Sequence, residues 1–388
     1  MKKVYADNGA TSFPKAPGTA DAMKDFLDNV GCNVNRGGFE SAYQTALNIL
    51  NTRKMLCEVF HFDEPRNVVF TPGITWSLNI ILQGFLKSGD HIITTSMEHN
   101  AVMRPLHGLS LSGVSYDLVK CSHDGSLNPK DIISLINKNT KAVIMTHASN
   151  VCGTILPLSD VAEICGKLDI KLIVDTAQTA GSVDIDMKYV DALAFTAHKG
   201  LLAAQGLGGF IVTNEMAKQI RPIITGGTGS LSHVIEQPDF MPDKFESGTV
   251  NIPAIIGLQK SLEYIRSVGI PAIYEKEMKL TEAFISEIMK VNHVKVIGKK
   301  EIGKNEIDGR TAVISLDFES RDNAEIAGIL DSDYGIMTRC GLHCAPYAHK
   351  TLGTYPRGTV RFSFGHFNTI DDIEYIVESI KDILRRGA

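Results

Sequence analysis

The chain has 388 residues, 44% hydrophobic and 21% charged, a composition that supports a full core and one large domain with a smaller one, or about two to three domains. Its 39 basic and 44 acidic side chains leave a net charge of −5, which gives no basic footprint for nucleic acid and no polybasic patch for a membrane. The seven cysteines are odd in number and scattered, so reduced thiols and a cytoplasmic location are expected rather than a disulfide framework. Lys2 and Lys3 are not followed by the apolar stretch of a cleavable leader. No apolar run approaches the length of a membrane span.

Asp7-Asn8-Gly9-Ala10-Thr11-Ser12, followed by Pro14 and Pro17, reads as an irregular opening segment with turn chemistry. Residues 40–60 have a helical pattern, with apolar side chains at Ala46, Leu47, Leu50 and Leu56. A βα alternation then begins. The apolar run Asn67–Thr71 closes on Pro72-Gly73, and a helix through Leu78, Ile81, Leu82 and Phe85 ends at Ser88-Gly89-Asp90. Strand-like runs recur at His91–Thr95, Lys141–Thr146, Lys171–Asp175, Ala192–Thr196 and Gly209–Thr213. Near-continuous apolar strands alternating with helices imply an α/β fold with a mostly parallel sheet covered on both faces. A ligand of such a sheet sits outside the carboxyl ends of the strands.

Past Arg221 the pattern changes. Residues 225–250 are rich in Gly, Ser, Thr and Pro and read as a long functional loop. Helical periodicity returns over Asn251–Val268 and bridges to a second, smaller α+β domain. That domain is expected to hold a helix over Ala272–Met289, strands near 294–297 and 311–317, and a closing helix. In the closing helix Ile370, Ile373, Ile376, Val377, Ile380, Ile383 and Leu384 share a face, with Asp371 and Asp372 in the first turn and Arg385 and Arg386 in the last.

Four strand ends carry polar groups suited to one ligand. Gly73-Ile74-Thr75 opens a helix, where N–H groups and a hydroxyl can hold an anion, or where a Thr simply caps. His99 follows the next strand and, taken alone, reads as a partly exposed loop residue. Asp175 ends a Leu-Ile-Val strand, with Gln178 three residues on, and a carboxylate there needs a partner. Thr196, His198 and Lys199 close the next run; a lysine so placed is either solvated or held in a pocket with a lowered pKa, able to form a Schiff base. A pyridine ring bearing a phosphate and an aldehyde would account for all four ends, with Asp175 at its ring nitrogen and Lys199 at its aldehyde. A lone C-x3-C pair, Cys340 and Cys344, is weak evidence for a metal, and none is expected.

These residues also resemble a known family. Asp7-Asn8-Gly9-Ala10-Thr11, Glu98-His99-Asn100, Ser149-Asn150-Val151-Cys152-Gly153-Thr154, Asp175-Thr176-Ala177-Gln178, Thr196-Ala197-His198-Lys199, Glu246-Ser247-Gly248-Thr249 and Arg339-Cys340-Gly341-Leu342-His343-Cys344-Ala345-Pro346 are similar to the cysteine desulfurases and selenocysteine lyases of the class V aminotransferase family. The resemblance covers nearly the whole chain. It implies the pyridoxal 5′-phosphate fold type I, with a large domain over 16–255 built on a seven-stranded-type sheet and a small domain from 1–15 and 256–388. By resemblance, Lys199 carries the cofactor, Asp175 pairs with its ring nitrogen, His99 stacks on the ring, and Gln178 bonds the ring oxygen. Gly73, Ile74, Thr75, Thr196 and His198 hold the phosphate, joined by Gly248 and Thr249 of a second subunit in a homodimer with a shared active site. Asn8, Asn150, Arg339 and Arg361 hold the substrate, and an arginine fork suits a carboxylate. Cys344 accepts sulfur; nearby cationic groups, Arg339 and His343 among them, favour its thiolate.

The implied reaction converts L-cysteine to L-alanine and leaves sulfur on Cys344 as a persulfide, which passes to a sulfur-acceptor protein for iron–sulfur assembly or thiolation. Cys340 departs from the family pattern and reads as structural or as a relay; Gly9 and Pro346 are further departures. Selenocysteine lyase activity with L-selenocysteine, another cofactor-dependent lyase or aminotransferase, and an idle scaffold are the competing readings.

Overall fold

In the computed structural model, which describes residues 2–34, 37–300 and 309–386, the first half of the chain builds one large sheet. Strand β1 (Val4–Tyr5) precedes helices α1 (Thr19–Asp25) and α2 (Glu40–Val59). There follow β2 (Val68–Thr71), α3 (Ile74–Phe85), β3 (His91–Thr95), α4 (Asn100–Ser110) and β4 (Ser115–Val119). Then come α5 (Lys130–Ile133), β5 (Thr140–Thr146), α6 (Leu158–Lys167), β6 (Lys171–Asp175), β7 (Ala192–Thr196), β8 (Gly208–Val212) and α7 (Asn214–Gln219). The sheet has seven strands in the order β2-β8-β7-β6-β5-β3-β4. Only β8 runs against its neighbours, β2 and β7; the pairs from β7 to β4 are parallel. This is the α/β fold expected from the near-continuous apolar strands.

The second half begins with two long helices, α8 (Ile252–Val268) and α9 (Ile270–Ile288), broken where Gly269 takes a φ of 88° and Pro271 opens α9. Beyond them lie β9 (Val294–Ile297), β10 (Val313–Phe318), α10 (Asn323–Tyr334), β11 (Ile336–Met337), β12 (Arg339–Gly341), α11 (Pro346–Leu352), β13 (Thr359–Ser363) and α12 (Ile370–Arg386). A four-stranded antiparallel sheet has the order β12-β13-β10-β9. β1 returns from the start of the chain to pair with β11.

Apolar side chains cover both faces of the large sheet, one layer including α8 through Ile252, Ile255, Leu258 and Leu262. A separate core gathers β1, α9, the small sheet and α12. Among the described residues no helix is long and apolar enough to cross a membrane.

The structure departs from the sequence reading where local pattern is a poor guide. β4 is a strand that the sequence does not announce, because it is an edge strand with Ser115 and Asp117 exposed. Ile370 does not join the buried face of α12; in the helix's first turn it stays 45% exposed, while Ile373, Ile376, Val377, Ile380 and Ile383 are buried. On α2 only Leu56 of the four expected residues is fully buried; Leu47 and Leu50 are 50% and 37% exposed, and Ile49 packs inward instead.

Residues 225–250 contain no helix or strand, as expected. Their far end is fixed by a buried ion pair: Arg53 of α2 meets Glu246, Nη2 to Oε2, at 2.7 Å, with both side chains under 10% exposed. The same carboxylate accepts from the Phe70 N–H at 2.6 Å, so one residue ties the segment to both α2 and β2. Asn251 then caps α8, accepting from the Ala254 N–H. Glu246→Ala leaves Arg53 buried without its partner, and urea unfolding should show a loss of about 3–5 kcal/mol; a change below about 1 kcal/mol would mean that the pair does not anchor the segment.

Candidate active site

The carboxyl ends of the parallel strands converge as the fold class requires. Asp175 ends β6 and is 2% exposed. Its Oδ1 accepts from the Ala177 N–H at 2.8 Å, and among the described residues no Lys, Arg or His lies within ion-pair distance. Burial raises its carboxyl, against the pull of that N–H and of Lys199. Lys199 follows β7. Burial pushes its amine down to about 8, helped by the Arg361 guanidinium and opposed by Asp175. Lys199 is partly buried and lines a cavity with Asn8, Gly9 and Gln178, which favours the pocketed reading of this lysine.

His99 is not a loop residue. It is the N-cap of α4, where its Nδ1 accepts from the Ala101 N–H at 3.0 Å. Burial, then the charges of Lys199, Arg339 and Arg361, push its imidazole down to about 4, so it is neutral at pH 7. His198 is likewise lowered to about 4, by burial first, and its Nδ1 is buried without a partner. The Gln178 Nε2 donates to the Gly9 carbonyl at 3.1 Å. Thr196 is buried at the end of β7, opposite Gly208 of β8. Gly208 lies so close to Gly73 that an added Cβ would meet the Gly73 Cα at 2.7 Å, and this close approach sets the start of α3 beside Thr196. Gly73 is the N-cap of α3, Ile74 its first residue, and Thr75 an exposed residue inside the first turn; Thr75 is therefore not the cap.

A second set comes from the small sheet and the start of the chain. Arg361 of β13 is fully buried. Its Nη2 donates to Asp7 Oδ1 at 2.6 Å and its Nη1 to the Asn150 carbonyl at 3.2 Å, while Nε is buried without a partner. The Asn150 side chain donates to the His343 carbonyl at 2.8 Å. Asn8 donates to the Ser363 carbonyl and to Asn368. Cys344 is exposed, its carbonyl accepts from the Asn100 N–H at 2.8 Å, and Arg339 Nη2 donates to its sulfur at 3.6 Å. His343 and Cys344 both take positive φ, 50° and 58°, which turns the thiol outward from a buried neighbour.

One expectation needs correction. His343 is not a cation beside Cys344: burial holds its imidazole well below the usual range, and its Nε2 pairs with Thr359 at 3.0 Å. Gly248 and Thr249, expected to serve a second subunit, lie apart from the Lys199 cluster of their own chain. They are exposed and line a cavity with Asn33, Leu50 and Val250, whereas Lys199 lines a different cavity with Asn8, Gly9 and Gln178. Cys340 is partly buried on β12, and burial raises its thiol.

The sequence reading missed Asp7 as the partner of Arg361, although the residue stands in the opening motif. It also missed Lys15, whose Nζ donates to Thr11, Ser12 and the His198 carbonyl at 3.1–3.2 Å. The Asp7–Arg361 and Lys15–His198 pairings have no local signal, because each joins segments far apart in the chain.

The donor set fits pyridoxal phosphate. Asp175 has a carboxylate oxygen to spare for a ring N–H, His198 a buried nitrogen without a partner, and Lys199 an amine of lowered basicity. In protein stripped of cofactor, the Lys199 amine should acylate with an apparent pKa near 8, read by mass spectrometry of labelled peptides across pH. Asp175→Asn removes a charge that favours the ammonium and should lower that value further. A midpoint in the ordinary lysine range, about 10.4, would contradict the pocket described.

The chain is similar to known proteins over nearly its whole length. The family model "Aminotransferase class-V" matches residues 4–376. A probable cysteine desulfurase of Borreliella burgdorferi is 30% identical over 396 aligned positions, covering 98% of this chain and 92% of that protein. One of Methanothermobacter thermautotrophicus is 29% identical, covering 99% and 95%. The apo structure of a cysteine desulfurase from Thermococcus onnurineus superposes with a TM-score of 0.89 at 28% identity, covering 99% of this chain and 95% of that one. The chain belongs to the class V aminotransferase family.

Proposed function

We propose that this chain is a pyridoxal-phosphate-dependent cysteine desulfurase, converting L-cysteine to L-alanine and transferring the sulfur to Cys344. The observation that carries the reading is the seat of Cys344. It is an exposed cysteine, tied by its carbonyl to the residue after His99, and its sulfur accepts from Arg339, whose charge also acts on Lys199. The cofactor, when bound, supplies an electron sink for the substrate carbon. Lys199 and Asp175 would hold it, with His99, Gln178, Thr196, His198 and the start of α3.

The chain's own groups supply the rest. The Arg361 guanidinium takes the substrate carboxylate, aided by its free Nε, with Asn8, Asn150 and Arg339 at the rim. Lys199, at a pKa of about 8, is partly free base near neutral pH, so it can take the Cα proton and return a proton to carbon. His99, neutral at pH 7, would hold the cofactor without adding a competing charge. The sulfur of Cys344 attacks the substrate sulfur, and the C–S bond breaks. L-cysteine and the Cys344 thiol thus become alanine and a Cys344 persulfide, with no external oxidant.

The reading extends to a homodimer. Tyr43, Leu47 and Leu50 of α2, and Leu231, Val234 and Ile235 of the 225–250 segment, are exposed apolar side chains that a second copy would cover. Gly248 and Thr249, lying outside their own chain's Lys199 cluster, would then serve the partner's phosphate site. A division into a large domain over 16–255 and a small one from 1–15 and 256–388 belongs to the same reading. The packing of α8 into the large core favours a hinge nearer Gly269. The persulfide would pass to a sulfur-acceptor protein in the cytoplasm.

Alanine and sulfide release from L-cysteine tests the proposal. Cys344→Ser should fall to background, and Lys199→Ala should lose the visible absorbance of the purified protein together with about 10²–10⁴-fold of activity. Full turnover in the Ser variant would remove Cys344 from its role. No alanine from either L-cysteine or L-selenocysteine with wild type would refute the function.

A further inference from the structure

Glu98 lies between β3 and His99, and nothing described so far uses it. Its side chain is fully buried, and among the described residues no Lys, Arg or His lies within ion-pair distance. Oε1 takes both available donors, the Thr95 hydroxyl at 2.5 Å and the Thr146 N–H at 3.0 Å. Oε2 is buried and meets no hydrogen-bond partner. Thr146 is the β5 residue in register with Asp175 of β6, and the following N–H, that of His147, donates to the Asp175 carbonyl at 2.8 Å. Glu98 therefore joins the ends of β3 and β5 one strand away from Asp175.

The titratable groups that act on Glu98 from neighbouring elements are Asp175, at the end of β6, and Cys121, beyond β4. Both are acids, and neither offers a compensating positive charge. An unpaired carboxylate in such a place costs far more than a neutral acid. We propose that Glu98 is a neutral carboxylic acid at neutral pH and acts as a positioning residue. Its Oε1 gathers the ends of β3 and β5, its proton sits on Oε2, and Asp175 is left as the member of the pair that ionises. Burial, the largest influence on the Glu98 carboxyl, raises it to about 8, in keeping with this assignment.

The consequence for a bound ring nitrogen rests on the cofactor reading above; the protonation state does not. Infrared spectra of the purified protein carrying carboxyl-labelled glutamate should show protonated-carboxyl absorption near neutral pH from Glu98 and from Glu277, the other buried glutamate raised to about 8. Glu98→Gln should remove one contribution and Glu277→Gln the other. If Glu98→Gln fails to fold, the absorption left in Glu277→Gln still reports on Glu98, and its absence overturns the proposal. Thermal unfolding gives an independent arm. The unfolded carboxyl ionises near pH 4.3 and the folded one near 8, so stability linked to Glu98 is present below the lower value and lost as pH rises through the upper one. Glu98→Gln escapes that loss, and its Tm relative to wild type should rise by several degrees between about pH 5 and pH 8. A gap that does not change with pH overturns the neutral state.

The positioning role is read in the cofactor absorbance of the holoenzyme. Glu98→Ala should move the pH midpoint of that absorbance, and Glu98→Gln, which keeps the acceptor oxygen, should restore it. An Ala variant with the wild-type midpoint overturns the positioning role. Wild type without visible absorbance would instead refute the cofactor reading.

Discussion

The site depends on an amine kept out of water. Lys199 lies just past the end of β7, where the charges of both Asp175 and Arg361 act on it. Burial and the guanidinium both disfavour the ammonium, and the carboxylate only partly offsets them. The result is a lysine whose amine is lowered to about 8, as the proposed proton transfer would need. The same burial keeps His99 and His198 neutral, so the pocket holds few mobile charges.

That balance is imposed by the second half of the chain and its first few residues. Arg361 reaches the pocket because β13 lies in the middle of the small sheet, next to β10 and β12. Asp7 neutralises it from a segment more than 350 residues away in sequence. A buried guanidinium of this kind adds little net stability and fixes a geometry instead. Arg310 does similar work without a carboxylate. It donates to the carbonyls of Lys299, Cys152 and Val313, fastening the turn around Asn150 to the small sheet. The Ser315 hydroxyl adds a bond to the Val151 carbonyl at 2.7 Å. These contacts set Asn150, Arg361 and the Cys344 segment against the strand ends of the large sheet.

Much was legible in the residues. The strands at 91–95, 171–175 and 192–196 have their observed bounds because each has an apolar centre, Ile92-Ile93, Leu172-Ile173-Val174 and Ala192-Leu193-Ala194-Phe195, followed by polar groups. Buried parallel strands have few other ways to be written. Asp175 and Lys199 stood out because a titratable group at the end of a buried apolar strand needs a partner or a pocket, whereas His99 gained its meaning only from the set. The edge strand β4, half-polar and exposed, had no such mark. The inward face of α2 was misjudged because its outer face is apolar as well.

The chemical identities at the strand ends, and hence the class of ligand, are local properties, since each residue is placed by the strand or cap it terminates. The protonation states and pairings are not. That His343 is neutral, that Asp7 rather than a neighbour meets Arg361, and that Cys344 faces solvent beside Arg339 follow from desolvation and from contacts between segments far apart in the chain. Such effects depend on what surrounds a group in space, and only the packed tertiary structure supplies those surroundings.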